Sequence, residues 1–304
     1  MNDCEWMEAV QTAKIIRGKR PMIQQEKKGV YIVGDVHGDW ARINSFINKK
    51  NPEAVIIAGD VAYFWKHEPL TNKGKIKTNG TKVYWVPGNH ENMDIVKSAK
   101  YPPGGIYEVD ENVFMCAFGS TLTIDGKTFL FCGGADSIDK VWRTEGVSWW
   151  RNETIQNNEF YALPDPADVE IDIVISHTKP NYFHLTGIDD DFRIHKYNDP
   201  SCKALDQVFQ MYHPKMWFFG HFHLADKNVY QGCEWFALNC LGETYGWRKL
   251  DNLFLNEENK IKFVEIQERR REALRAENDR RKDPAYVPLS EWPDNLESNE
   301  DLDW

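Results

Sequence analysis

A short stretch near the start of the chain carries residue types that can bind a metal. Gly34-Asp35-Val36-His37-Gly38 directly follows the apolar run 30–33. Because alternate residues of a strand point the same way, a strand ending in Asp-x-His presents a carboxylate and an imidazole on one face. The flanking glycines allow a tight turn. Taken alone, such a motif is more often a turn followed by a surface histidine.

The same pattern recurs four more times, and each time an apolar run ends abruptly in Asp, Asn or His. These stretches are Gly59-Asp60, Gly88-Asn89-His90, Ser176-His177 and Gly220-His221-Phe222-His223. Strand ends in an open α/β sheet converge on one crevice, so five such ends would meet there. An ordinary turn explains any one of them, but five independent coincidences explain the set poorly. The sequence therefore predicts one site built from Asp35, His37, Asp60, Asn89, His90, His177, His221 and His223.

The types of ligand in this set indicate which metals it would hold. Imidazole with carboxylate and amide oxygen suits Mn, Fe or Zn better than Mg or Ca. The number of ligands suits two divalent ions, with Asp60 as the natural bridging carboxylate. Two ions about 3.5–4 Å apart can ionise a bridging water and clamp the oxygens of an in-line displacement. That chemistry fits phosphoester hydrolysis, in which positioning and charge neutralisation contribute most of the catalysis.

Hydrophobic patterns predict the elements that must position these residues. Apolar residues recur at helical spacing after Asp39, and the continuous run 54–58 is typical of a strand buried on both faces. We expect further strands over 82–87, 171–176 and 216–219, and helices over 92–99 and 201–211. Short strands with a hairpin signal at Asp125-Gly126 occupy 106–132, which we interpret as a second sheet.

A loop region from Gly133 to Arg151 carries Arg143 and three tryptophans. An arginine can hold a phosphate through paired hydrogen bonds, and an aromatic ring can stack on a base. We therefore interpret Arg143 as a candidate substrate-binding residue, whereas packing is the simpler explanation for each tryptophan.

Composition excludes several classes of protein. The 304 residues are 41% hydrophobic and 28% charged, as in ordinary globular proteins, and the net charge is −10. That charge argues against a nucleic-acid coat protein or a binder of anionic membranes. The sequence has neither an apolar run of about 20 residues nor a signal-peptide profile. Cys116 and Cys132 lie in apolar runs, which favours free thiols and a cytoplasmic location.

Charge patterns divide the chain into three parts. Residues 1–27 are predicted to be an N-terminal arm, 28–255 the main domain, and 256–304 a charged helical and acidic C-terminal extension. Charge runs of this kind are usually solvated faces or disordered tails.

The set of motifs resembles the calcineurin-like metallophosphoesterases over about residues 28–240. The resemblance implies a four-layer α/β/β/α sandwich of two mixed sheets with the site at the sheet edges. It implies that a first metal is held by Asp35, His37, Asp60 and His223, and a second by Asp60, Asn89, His177 and His221. His90 would lie outside these ligands, touching the substrate phosphate or protonating the leaving oxygen. Asn239 resembles the family's closing turn, which has no metal role.

One departure from the family pattern bears on the substrate. Protein phosphatases and diadenosine tetraphosphatases follow the second motif with an Asp-Arg pair, where this chain has Tyr63 and Phe64. The difference argues against both activities. We hypothesise that Arg143 supplies the lost cation from another loop.

The sequence therefore predicts a dinuclear, manganese-dependent phosphoesterase in which a metal-bridging hydroxide attacks a phosphorylated small molecule, with phosphodiesters or nucleotides favoured. A nuclease is the nearest alternative, although no extended basic stripe marks a nucleic-acid track. A non-catalytic interaction module is the alternative of another class. The complete set of metal ligands favours the enzyme.

Overall fold

The computed structural model describes residues 29–64, 74–186, 188 and 198–250. The expected N-terminal arm, 1–27, and C-terminal extension, 256–304, lie outside these ranges. None of the helices within the described ranges has the length and apolar character that a membrane crossing requires.

Two mixed sheets of six strands each form the framework of the described residues. The first contains β1 Val30–Val33, β2 Ala54–Ile57, β3 Lys82–Trp85, β4 Ile106–Asp110, β5 Val113–Cys116 and β12 Trp247–Lys249. The second contains β6 Thr121–Ile124, β7 Lys127–Cys132, β8 Ile173–Ser176, β9 Met216–Phe219, β10 Asp226–Tyr230 and β11 Cys233–Ala237. Their spatial orders are β12-β1-β2-β3-β5-β4 and β10-β11-β9-β8-β7-β6. In each sheet the four central strands are parallel, and each edge strand is antiparallel to its neighbour.

The described helices are α1 Trp40–Lys50, α2 Met93–Val96, α3 Pro200–Tyr212 and two 3-10 helices, Lys140–Trp142 and Asn157–Ala162. The Asp39 carboxylate caps α1 by accepting the Arg42 N–H at 3.0 Å, and Asp199 caps α3 through the Ser201 N–H at 2.7 Å. Such caps satisfy N–H groups that the first turn leaves without a helical partner. Helix α2 is shorter than the predicted 92–99: Asn92 is its N-cap and Lys97 its C-cap.

The helices cover the outer faces of the two sheets. Val33 and Ile57 of the first sheet lie in one buried cluster with Ile43 of α1. Trp217 of the second sheet lies in another cluster with Leu205 of α3. Strand residues whose side chains point to the opposite face of each sheet are outside these clusters but are equally buried. Each sheet must therefore be covered on its other face as well.

The two sheets pack against each other through these inner faces. Ile32 and Ile56 of the first sheet and Phe131 and Phe218 of the second are fully buried. The Arg248 guanidinium of β12 lies 4.2 Å from the ring centroid of Phe236 on β11, a contact between the sheets. The predicted four-layer α/β/β/α sandwich is therefore confirmed.

The segment 106–132 is divided between the sheets, so its interpretation as a second sheet was half right. Strands β4 and β5 join the first sheet, whereas β6 and β7 join the second. The hairpin at Asp125-Gly126 is confirmed, with φ values of 50° and 68°. Both halves have short antiparallel connections, and local spacing does not reveal which sheet a hairpin joins.

Candidate metal centre

The eight predicted site residues lie together at the carboxyl ends of five parallel strands. Asp35 and His37 follow β1, Asp60 follows β2, Asn89 and His90 follow β3, His177 follows β8, and His221 and His223 follow β9. The two sheets meet at this edge. The contact is direct, since the His221 N–H after β9 donates to both carboxylate oxygens of Asp35 after β1, at 3.0 and 3.1 Å. Residues up to 188 positions apart in sequence are therefore neighbours.

Three of these residues form what we call the outer group: Asp35, His37 and His223. The Nε2 atoms of His37 and His223 are 2.8 Å apart. The Asp35 Oδ2 atom lies 3.0 Å from Nε2 of His223 and 3.7 Å from Nε2 of His37. These three atoms surround a space of the size that a metal ion needs.

The other four predicted ligands form the inner group: Asp60, Asn89, His177 and His221. The Asn89 Oδ1 atom lies 3.0 Å from Nε2 of His177 and 3.0 Å from Nδ1 of His221. Nε2 of His177 lies 3.2 Å from Oδ1 of Asp60. The Nδ1–H of His177 donates to the Ala58 carbonyl at 2.8 Å, which leaves Nε2 directed at the other members.

Asp60 has one oxygen directed at each group. Its Oδ1 faces His177 in the inner group, and its Oδ2 lies 3.9 Å from Nε2 of His37 in the outer group. Oδ1 also accepts the His90 N–H at 2.8 Å, which fixes the orientation of the carboxylate.

Four of the predicted ligands have left-handed backbone conformations. The φ values of His37, Asp60, His221 and His223 are 48°, 48°, 70° and 51°. Each such conformation costs on the order of 1–3 kcal/mol and clusters at functional sites. All four residues lie just after the strand ends that border the crevice.

Two glycines let the strand ends approach one another. A Cβ atom on Gly59, whose φ is 112°, would collide with the His177 imidazole. A Cβ atom on Gly88 would collide with the Asp60 carboxylate. Close packing between motifs therefore requires glycine at both positions, and at Gly59 the left-handed backbone requires it as well.

Protonated imidazoles balance the buried carboxylates. Burial acts to raise the pKa of Asp35, but the imidazoles of His223 and His37, 3.0 and 3.7 Å from its carboxylate, outweigh it and hold that pKa well below its usual range. Burial acts to lower the pKa of His177, but the charges of Asp60 and Asp35 outweigh it and raise the pKa to about 9. A cation bound here would displace these protons and take over the balancing charge, so the residues fit a metal.

The structure brings Arg143 to His90. Nη2 of Arg143 donates to Nε2 of His90 at 2.7 Å, and Nε of Arg143 pairs with the Asp139 carboxylate at 2.8 Å. His90 is therefore neutral, with its own proton on Nδ1. Burial and the charge of Arg143 lower the pKa of His90 to about 4, against the opposing charge of Asp60.

A chain of hydrogen bonds that sequence reasoning missed orients Asn89. Its Nδ2 donates to the Ser137 Oγ at 3.0 Å, so Oδ1 must face the histidines. The Ser137 N–H donates to the Glu153 carboxylate at 2.6 Å, and Trp149 Nε1 donates to the same oxygen at 2.8 Å. The loop 133–151 therefore supports the inner group. Only its Gly-Gly start and its concentration of polar and aromatic residues signalled a role.

A second missed residue, Glu91, supports the Asp60 loop. Its buried carboxylate accepts the N–H groups of Ala62 and Tyr63 at 2.8 and 3.0 Å. The Tyr63 ring stacks between Trp40 and Trp85, with centroids 5.6 and 5.9 Å away. The positions at which related phosphatases carry an Asp-Arg pair are thus used for packing.

The three tryptophans of the loop differ in exposure. Trp150 is buried and donates to Asp94 at 3.0 Å, and Trp149 is tied to Glu153. Trp142, next to Arg143, is 84% exposed. Packing therefore explains the first two but not Trp142.

A further donor that sequence reasoning missed is Cys240, in the turn after β11. Its sulfur and one ligand atom each of Asp35, His37 and His223 all lie within 4.8 Å of one another. The neighbouring Asn239 accepts the Cys240 N–H at 2.8 Å, so it shapes the closing turn. The resemblance of that turn to the family pattern marked the place but not the thiol.

No curated protein matches the chain. A phosphopantetheinyl hydrolase from Mycobacterium tuberculosis is 13% identical, with a TM-score of 0.41 over 75% of this chain and 98% of that one. A conserved uncharacterized protein and predicted phosphoesterase from Streptococcus pneumoniae TIGR4 is 14% identical, with a TM-score of 0.31 over 71% and 74%. The anchor in the inner membrane complex of Plasmodium is 12% identical, with a TM-score of 0.35 over 68% and 70%. These likenesses concern the fold alone.

The family comparison is more specific. The model of the calcineurin-like phosphoesterases matches residues 29–225, which include all eight predicted site residues. The chain therefore belongs to the calcineurin-like phosphoesterase family and is a metal-dependent hydrolase of phosphate esters.

Proposed function

We propose that the chain hydrolyses its phosphate ester with two divalent metal ions, one held by the outer group and one by the inner group. The observation that carries this proposal is the position of Asp60. Its Oδ2 lies 3.9 Å from Nε2 of His37, and its Oδ1 lies 3.2 Å from Nε2 of His177. A carboxylate with one oxygen toward each group suits a bridge between two ions, and the imidazole-rich donor set suits Mn, Fe or Zn.

The residues around the proposed metals have separable roles. When bound, the ions would supply the charge that activates the attacking water and neutralises the phosphoryl oxygens. Arg143 carries a fixed positive charge at the rim, 2.7 Å from His90, and would turn from that imidazole to the substrate phosphate. His90 would then contact the phosphate or pass a proton to the leaving oxygen. The Asp139 carboxylate keeps Arg143 directed at the crevice.

Two substitutions separate metal binding from the later steps. Asp60→Asn should reduce bound metal and lower the turnover of an aryl phosphate by about a thousandfold or more, because a metal ion supplies several kcal/mol of charge stabilisation. His90→Ala should keep both ions and lower turnover by about 10²–10⁴-fold, the usual contribution of a general acid or base. Elemental analysis and manganese-supported activity measure both effects. The exposed Glu170, paired with Lys215 at 3.1 Å, supplies the matched control Glu170→Gln.

Two outcomes would contradict the proposal. One bound ion per chain at full activity would exclude the dinuclear centre. Metal binding without turnover of any phosphate ester would favour the non-catalytic module.

We propose further that the substrate is a phosphorylated small molecule with an aromatic part, such as a nucleotide. Trp142 supports this proposal. Its side chain is 84% exposed, and it is the last residue of the short 3-10 helix, directly before Arg143. A phosphate at Arg143 would leave an attached ring within reach of the indole, and base stacking contributes about 1–3 kcal/mol. The net charge of −10 weighs against a nucleic-acid track.

A screen with manganese should compare mononucleotides, cyclic nucleotides, dinucleotides, short DNA and an alkyl phosphate without a ring. Trp142→Ala should raise the KM for the best nucleotide by about fivefold or more and leave the alkyl phosphate unaffected. The exposed Tyr161, which is 94% accessible, supplies the control Tyr161→Ala. Preference for DNA would instead identify a nuclease, and equal losses on both substrates would exclude stacking by Trp142.

A further inference from the structure

The outer group has three proposed protein ligands besides the bridging Asp60, and the thiol of Cys240 lies beside them. The sulfur lies within 4.8 Å of one ligand atom each of Asp35, His37 and His223. Four donors from three separate segments of the chain therefore face the same small volume.

The spacing of the outer-group atoms is that of ligands around one metal ion. Bonds of about 2.0–2.3 Å from zinc to nitrogen, oxygen and sulfur imply separations of roughly 2.8–3.8 Å between adjacent ligand atoms, from octahedral to tetrahedral arrangements. The observed separations within the outer group are 2.8, 3.0 and 3.7 Å. The three atoms of the outer group are therefore spaced as ligands of one ion, and the Cys240 sulfur lies within 4.8 Å of them.

The backbone around Cys240 is held by residues of the site. The Leu241 N–H donates to the Asp35 carbonyl at 2.8 Å, so the turn is tied to the residue that supplies the carboxylate. Nη1 of Arg42 donates to the Leu241 carbonyl at 2.8 Å. A thiol on this turn cannot move far from the outer group.

The other described cysteines have different surroundings. Cys116, Cys132 and Cys233 are buried in strands, and Cys202 on α3 faces the Thr178 hydroxyl at 3.6 Å. Among the cysteines that the structure describes, Cys240 is the one whose sulfur belongs to a candidate group of metal ligands.

We propose that Cys240 ligates the outer metal ion as a thiolate and biases that position toward Zn²⁺ or Fe²⁺ over Mn²⁺. The inference rests on the proposed metal centre and adds a ligand to it. On binding, a sulfur–metal bond forms, the S–H bond breaks, and the proton passes to solvent with no change of oxidation state. Thiolate is a soft ligand that selects zinc and iron, whereas manganese prefers oxygen donors.

Cobalt substitution tests the ligand directly. The full-length protein, stripped of metal and titrated with Co²⁺, should develop a near-ultraviolet charge-transfer band from thiolate to cobalt. Cys240→Ser should abolish that band and keep the visible cobalt bands, whereas the control Cys202→Ser should keep both. Cys240→Ser should weaken Zn²⁺ binding by about tenfold or more, since even the loss of supporting residues around a ligand has that effect. Mn²⁺ affinity should change far less.

A second measurement needs no variant. Zn²⁺ should protect Cys240 of the wild-type protein from alkylation, with the modified peptide located by mass spectrometry, while Mn²⁺ protects it less. Cobalt binding without a thiolate band, together with unprotected Cys240, would overturn this inference and leave the proposed centre intact. Failure to bind any cobalt or zinc would overturn both.

Discussion

The outer and inner groups hold similar ligands in different surroundings. The side chains of His223 and His37 in the outer group are 49% and 18% exposed, whereas those of His177 and Asp60 in the inner group are 0% and 1% exposed. The inner ligands are also oriented by residues beyond the centre, such as Ser137. In the outer group the two imidazoles instead contact each other.

This difference indicates how each half is prepared for a metal. Hydrogen bonds to Ala58 and Ser137 fix the donor atoms of the inner group before any ion arrives. The Nε2 atoms of the two outer imidazoles lie 2.8 Å apart, so an ion that binds both must take a position between them and Asp35. In the proposed dinuclear centre, we therefore expect the inner ion to be retained during purification and the outer ion to exchange.

The largest expected contrast is in stability without metal. His177→Ala should lower the free energy of unfolding by about 3 kcal/mol or more, because it leaves buried carboxylates without their partner. His223→Ala should lower it by about 1 kcal/mol or less, because its ion pair with Asp35 is half exposed. Urea unfolding in the presence of a chelator measures both, and equal losses would remove the distinction between the groups.

The next contrast concerns the support of the inner group. Ser137→Ala should weaken the more tightly bound ion by about 10–100-fold, since the Asn89 amide loses the acceptor that orients it. Ser148→Ala is the matched control, because its hydroxyl bonds to the backbone of Thr144 in the same loop, accepting the N–H at 3.0 Å and donating to the carbonyl at 3.5 Å. Calorimetric titration with Mn²⁺ distinguishes them. An effect confined to the weaker ion would mean that Ser137 supports the outer group instead.

The smallest contrast is in pH dependence. An imidazole that holds a proton in the metal-free protein must release it on binding, so affinity for the inner ion should rise with pH up to about pH 9, the raised pKa of His177. Affinity for the outer ion should rise over a wider range, because the carboxylate of Asp35 raises the pKa of His223 to about 10 and that of His37 to about 11. His221 adds nothing, because burial lowers its pKa to about 3. Each displaced proton contributes about tenfold in affinity per pH unit. Titrations at several pH values give the slope for each ion, and a flat profile would mean that the histidines are neutral before binding.

Much of the candidate site could be predicted from the sequence, since the proposed ligands are strand-end residues. Asp35 and His177 each follow a run apolar enough to indicate a buried strand, and parallel strands bring their carboxyl ends to a common edge. Helices α1 and α3 could also be predicted, because the spacing of their apolar residues and their capping residues are features of one continuous stretch of chain.

Contacts between distant segments could not be predicted. Nothing in the local sequence of Ser137 or Glu91 indicates which loop it will support, and the hairpins of 106–132 give no sign of the sheet they join. The substrate-binding role of Arg143 was a hypothesis based on the composition of its loop. Its 2.7 Å contact with His90 depends on how loop 133–151 folds back onto the strand ends.

The order and type of the strand-end residues were enough to indicate a metal-dependent phosphoesterase, because that chemistry needs a particular set of donors and each donor is a local choice. Tertiary structure alone decided which donors share an ion-sized space, which are buried, and that Cys240 faces the outer group. Those properties depend on distances between segments far apart in the chain, and burial sets the charge and mobility of each side chain only after the two sheets have packed.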